Sequence, residues 1–431
     1  MSSRFPTEKL PPLDLGKWRG LPNALTMAGA VLVAAGAGLS YHLHGNLKQL
    51  GYSWLVAFMF CLTICLGALF MVLVHHLSDA GWSVSMRRFC EHLAGLLFPW
   101  MAVMFIPVAL LAKQIYSWTT MNPAARVLHV KLPVFTMPGF YIFAAVCFAL
   151  WGVLTHGLRK WSLKQDETGA AECTYKMRRY SAWGIYVFGI TLTAVAFFWV
   201  MALEPQWFSA VYGVYFFGST VWVGLATIYF ITLVLARAGI LRDVIHKHQF
   251  YYLGTLLMAF TVFQAYIGYS QYFVVWNANM PVENFWYLQR EQGSWWWVSM
   301  LLIFGHFLVP FLLLLPIAAK ENFKLMVPLI CWAWLMHYFD MSFNITPALH
   351  HKGYPFQWAW LDFGCLALMI GVLSKIFIAR LSLYPAYPVK DPRLGEIIGQ
   401  RHPLPTGISG GEIGQVETDD AAELQPSGGN P

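Results

Sequence analysis

Apolar residues fill most of this chain in ten long blocks: 23–42, 52–76, 87–112, 137–160, 180–202, 207–236, 249–276, 294–319, 324–347 and 357–379. A helix needs about 20 apolar residues to cross the hydrocarbon core of a bilayer. The pattern therefore predicts an all-α polytopic membrane protein with about ten transmembrane helices. Most connections are short, so neighbouring helices run antiparallel and form a bundle. Longer loops are expected at 113–136, 161–179 and 277–293. Residues 1–22 read as a polar N-terminal segment, with no removable signal peptide before the first span. From 385 the composition turns to Pro, Gly and acid, and the tail 385–431 is expected to be mobile.

Composition supports the membrane reading. Hydrophobic residues make up 58% of the 431 residues and charged ones 11%, against about 25% charged in a soluble domain. The 20 Trp and 20 Tyr suit two interfacial aromatic belts. A net charge of +7 is spread over the loops, so attraction to an anionic leaflet explains it better than a nucleic-acid partner. With ten spans both termini share a side. Lys48, Lys113, Arg126, Lys131, Arg290 and Lys352 fall opposite, and Lys375 lies in the last span; the rest of the 28 Lys and Arg lie with the termini. The positive-inside rule then puts both termini in the cytoplasm. The seven cysteines contain no CxxC pair and read as packing residues, with neither a disulfide framework nor a metal site.

Chemistry should reside in the few polar residues inside these spans, because ionisable groups in hydrocarbon are costly and mark ion, proton or ligand paths. His75, His76 and Asp79 close the second span, and Glu91 and His92 lie a turn inside the third, near Trp82, Arg87 and Arg88. They suggest either a proton entrance or a set of interfacial anchors in which Arg87 or Arg88 neutralises Glu91. His337 and Asp340, three apart, share a face of the ninth span. His306 sits between Gly305 and Pro310 in the eighth. Glu204, Gln206 and Trp207 belong to one outer turn, and Trp276, Asn277, Asn279, Glu283 and Asn284 to another. Ser219 and Thr220 in span six, and Gln264, Tyr266, Ser270, Gln271 and Tyr272 in span seven, offer hydroxyls and amides that carry water between the ends or bind helices together. Proton-path candidates are thus His75, His76, Asp79, Glu91, His92, Ser219, Thr220, Glu204, Gln264, Glu283, His306, His337 and Asp340. Candidates for quinone contact are His306, His337 and Asp340. No catalytic residue or metal ligand is legible, and the histidines lack the paired spacing of a haem bundle.

Four stretches carry a resemblance: His75-His76-Leu77-Ser78-Asp79-Ala80-Gly81-Trp82-Ser83 with Arg87-Arg88; Leu203 to Ser209 leading into Tyr212 to Phe217; Tyr269 to Phe273 through Trp276 to Pro281; and His337-Tyr338-Phe339-Asp340. Over about residues 20–385 the chain resembles the polysulfide-reductase-like (NrfD-like) integral membrane proteins, specifically the F component of bacterial alternative complex III. That resemblance implies two four-helix bundles, spans two to five and six to nine, with one flanking helix each. It implies a non-haem subunit of a quinol:cytochrome c (or other acceptor) oxidoreductase in the bacterial inner membrane. Its partners would be the homologous NrfD-like C component of that complex, an iron-sulfur protein, and multihaem and monohaem c-type cytochromes. It also implies no covalently bound cofactor, with menaquinone or another quinone and lipid as the expected small molecules. Two departures matter: Gln206 stands where relatives often have His, and Val282-Glu283 where they often have two glutamates. Rival readings are a secondary transporter, although no inverted repeat is legible, and a purely structural scaffold.

Overall fold

The computed structural model describes residues 20–121, 135–241 and 244–397. Ten helices, labelled here α1 to α10, order these residues: α1 Leu21–His44, α2 Lys48–Leu77, α3 Gly81–Leu110, α4 Met137–Thr168, α5 Ala171–Leu203, α6 Tyr212–Arg237, α7 Lys247–Ala278, α8 Trp295–Leu314, α9 Phe323–Ile345 and α10 Phe356–Leu383. Nine of them, all but α9, are long and apolar enough by themselves to cross a membrane. The described residues contain no strand. Helices suit such a chain because each satisfies its backbone polar groups internally, where no water is available to do so.

The packing separates into two sets of four. Helices α2 to α5 pack together, as do α6 to α9, and α2 against α6 joins the sets. Helices α1 and α10 flank them as a pair that also rests on α2. Burial follows this order: 89% of the apolar window of α2 and 72% of that of α6 are buried, against 17% in α1. The central contact is possible because two glycines face each other. A Cβ on Gly67 would lie 2.5 Å from the Thr220 carbonyl oxygen, and one on Gly224 would lie 2.8 Å from the Gly67 Cα. Small residues at such crossings let backbones approach within the range where dispersion is strong.

Several helices are interrupted. In α3 a wide turn at Leu97–Met101 contains Phe98 in an extended conformation just before Pro99, whereas Pro107 sits inside a helical stretch. The turn Leu302–Leu308 in α8 precedes Pro310, and Pro316 ends that helix with an extended backbone. Wide turns of this kind are rare in helices and concentrate at functional sites.

Two expectations are corrected. The segment 161–179 is not a long loop: α4 runs to Thr168, Gly169 (φ 65°) turns the chain, and α5 begins at Ala171. Its Lys, Gln and Glu are good helix formers, and glycine accepts the left-handed terminus at little cost. The tail expected to be mobile from 385 is anchored over its first part. Ala386, Tyr387, Asp391, Arg393 and Leu394 are buried, and Asp391 pairs with Arg87 of α3. Average composition hid a few residues that match the bundle in charge and shape. Residues 1–19, 122–134, 242–243 and 398–431, which include Pro123, Arg126, Lys131, Pro133 and Arg242, lie outside the described residues.

Because no side chain fits between α2 and α6, Gly67→Ala should lower stability by about 1–3 kcal/mol, the usual cost of overpacking. The comparison is Gly189→Ala, where nothing lies within 4 Å. Thermal unfolding in one detergent would check it; equal midpoints for the two variants would refute the steric argument.

Candidate functional site

Two polar clusters occupy the helix bundle, one at the face where α1 begins and α10 ends, called the termini face below, and one reaching inward from the opposite face.

At the termini face, the first turns of α3 carry Arg87 and Arg88 inward against the ends of α2 and α4. Arg87 Nε lies 3.3 Å from Glu91 Oε1, and its Nη1 donates to Asp391 Oδ2 at 2.5 Å and its Nη2 to Gln165 Oε1 at 3.0 Å. Arg88 pairs with Glu91 at 3.4 Å and, more closely, with Asp166. Both arginines therefore neutralise Glu91. Asp79 holds Arg178 and Arg393, each at 2.5 Å. Burial pulls the Arg393 guanidinium below its usual value, while Asp391 and Asp79 oppose that shift. His75 Nδ1 is 2.7 Å from Ser83 Oγ, and its ring meets that of His76 edge-on at 4.9 Å. Both ring nitrogens of His76 are buried without a hydrogen-bond partner. Arg159 Nη1 donates to His92 Nδ1 at 2.9 Å. The expected corner is thus assembled, with Asp166, Asp391, Arg159 and Arg393 as members that sequence reasoning missed. A gap bordered by His75, Ser83 and Arg87 has room for about one water molecule.

The second cluster lies where α2, α6 and α9 meet. Asp340 Oδ1 accepts from Tyr215 Oη and from Asn344 Nδ2 at 3.2 Å, and Oδ2 accepts from Ser219 Oγ at 2.7 Å. The same Ser219 oxygen is 3.2 Å from His337 Nδ1, and His337 Nε2 is 2.8 Å from Thr63 Oγ1. Tyr212 Oη donates to Asn344 Oδ1 at 2.9 Å. Toward the surface, Arg290 Nη2 reaches the Asn344 carbonyl at 3.5 Å and Glu204 Oε2 at 3.4 Å. Its guanidinium lies 3.5 Å over Trp286, which stacks on Trp207. Burial lowers the Arg290 proton affinity, and Glu204 opposes that.

The protons of this cluster can be counted. A hydroxyl donates one hydrogen, so Ser219, while donating to Asp340, accepts from His337 Nδ1–H. In neutral His337 the other nitrogen, Nε2, then accepts from Thr63. If His337 gains a proton, Nε2 donates to Thr63 Oγ1, and the Thr63 hydrogen turns to the carbonyls of Met59 or Phe60, 3.0 and 2.9 Å away. Hydrogen bonding is complete with and without the added proton. No Lys, Arg or His forms an ion pair with Asp340 among the described residues.

Other candidates are placed elsewhere. His306 stacks on Trp222 at 4.0 Å with a buried Nε2 that has no hydrogen-bond partner, and no hydrogen bond joins it to His337 or Asp340. The Thr220 hydroxyl and the Gln264 carbonyl oxygen are buried without partners, outside the cluster. Tyr266 and Tyr272 face outward, Gln206 is exposed, and Glu283 sits half-buried in the first turn of the short helix Pro281–Arg290. Along α2 no polar side chain lies between the clusters: from Thr63 to His75, residues 64–74 are apolar, a rise of about 18 Å. Tyr212 and Tyr215, seven and four residues before the expected Ser219 on one helix face, and Asn344, four beyond Asp340, are the missed signals a periodicity search would have found.

Arg87→Met should cost about 3–5 kcal/mol, because it strands buried carboxylates. Asp391→Ala should expose the 386–394 segment to limited proteolysis while the helices stay protected; an unchanged digestion pattern would count against the anchoring described.

Compared with known proteins, the chain matches no family model and no curated protein.

Proposed function

We propose that the chain is a non-haem membrane subunit of a quinol-oxidising respiratory complex and that it carries protons over part of the membrane thickness. The observation that carries this reading is the Thr63–His337–Ser219–Asp340 network, whose hydrogen bonds are saturated at two proton counts. A proton can reside there or leave without stranding a buried polar group, which is what a relay inside hydrocarbon requires. The termini-face cluster differs, because its carboxylates are held by guanidinium groups and serve better to fix geometry and gather charge. The excess of Lys and Arg at the termini face supports its assignment as the cytoplasmic side of a bacterial inner membrane. Respiratory context, quinol and partner proteins follow from the resemblance in the four sequence stretches, which supports them as expectations.

A second reading assigns a quinone contact to His306. Its buried, unpaired Nε2 lies beside the outward-facing Ile303 and Phe304, and apolar clefts with one or two placed polar groups suit such rings. Saturation-transfer or photo-labelling with a quinone analogue, lost in His306→Phe, would support it.

The proton reading predicts that in the reconstituted complex Asp340→Asn lowers proton release per electron while electron transfer persists, with Tyr215→Phe giving a weaker loss. Glu91→Gln should chiefly lower stability. Unchanged coupling in Asp340→Asn would remove the relay.

A further inference from the structure

A second carboxyl group lies inside the bundle apart from both clusters. Asp362, near the start of α10, is buried and forms no ion pair among the described residues. Its Oδ2 accepts from Tyr338 Oη at 2.8 Å, and Tyr338 Oη is 2.6 Å from Tyr354 Oη. Tyr338 follows His337 on α9 and faces α10, whereas His337 faces α2 and α6. Tyr354 belongs to the loop between α9 and α10, at the face opposite the termini, and the neighbouring Phe356 is 68% exposed. Ser53 of α2 lies near Asp362, and Cys365 stands one turn along α10. Nearby on the same loop, His350 Nε2 donates to Gln49 Oε1 at 2.7 Å, and burial lowers its proton affinity.

A charged carboxylate buried without a cation is costly, and a structural role alone would be served as well by an amide. The two tyrosines give Asp362 something an amide cannot use. With the carboxylate charged, Tyr354 donates to Tyr338 and Tyr338 donates to Asp362. With the carboxyl protonated, both bonds reverse: Asp362 donates to Tyr338, and Tyr338 donates to Tyr354. A proton arriving at Tyr354 Oη moves that hydroxyl's own hydrogen to Tyr338 and the Tyr338 hydrogen to Asp362. One O–H bond forms and one breaks at each tyrosine, and one new O–H forms on the carboxylate.

We infer that Asp362, Tyr338 and Tyr354 form a second proton-exchanging site, separate from Asp340, that communicates with the face opposite the termini. The inference rests on the reading that the chain handles protons. It makes α9 the divide between two proton-bearing carboxyl networks, one on each side of the helix.

The test is difference infrared spectroscopy on the full-length chain in lipid, between acidic and alkaline buffers and on transfer from H2O to D2O. The expected result is a protonated-carboxyl band that Asp362→Asn removes, Asp362→Glu displaces and Asp340→Asn leaves in place. Tyr354→Phe should slow deuterium exchange of that band about tenfold, a barrier increase of about 1.4 kcal/mol, while Tyr215→Phe leaves it unchanged. The inference is overturned if neither Asp362 variant alters a carboxyl band, or if Tyr354→Phe exchanges at the wild-type rate. Should Asp362→Asn not fold, the Asp362→Glu and Tyr354→Phe arms decide alone. No electron transfer enters this measurement, so its failure is distinct from unchanged coupling in the complex.

Discussion

The close approach of α2 and α6 at Gly67 and Gly224 is the constraint on which the interior depends. Thr63 lies one turn from Gly67, and Ser219 is adjacent to Thr220, whose carbonyl meets Gly67. Their hydroxyls reach His337 from opposite sides at 2.8 and 3.2 Å. Widening the helix pair by the width of a methyl group would take at least one of these contacts beyond hydrogen-bond range. Packing between two apolar helices thus sets the geometry of a polar cluster that neither helix could hold alone.

Five buried or half-buried carboxylates fall into two chemical kinds. Glu91, Asp166 and Asp391 face the guanidinium groups of Arg87 and Arg88, and removing a proton-independent cation from such a pair leaves charge stranded in the bundle. Asp340 and Asp362 face hydroxyls, amides and an imidazole, which reverse their donor and acceptor roles. The first kind locks α3, α4 and the C-terminal segment together at the termini face. The second kind lies deeper or toward the opposite face, where hydrogen-bond direction can change with little movement of heavy atoms. An 11-residue apolar stretch of α2 lies between the two regions.

Much of this was legible in the order of residues. Long apolar blocks predicted the helical membrane fold, and the i, i+3 spacing of His337 and Asp340 predicted that they share a helix face; that Ser219 meets both came from the structure. The corner of His75, His76, Glu91 and His92 followed from their position at the ends of consecutive spans. Asp362 is an acid inside a span like Asp340, yet no histidine or second carboxyl group stands within one turn to mark it. Asp391 and Arg393 were hidden by a tail whose average composition resembles a disordered segment.

Sequence alone determined that the chain forms apolar helices and where along them polar groups interrupt the pattern, because length and hydropathy are local quantities. Which polar groups meet was decided by tertiary structure. His306 and His337 are both near the middle of their spans, but one stacks on Trp222 and the other joins Asp340 through Ser219. The difference arises from helix rotation and from which helices touch, and these depend on small residues and wide turns that carry no chemical label of their own.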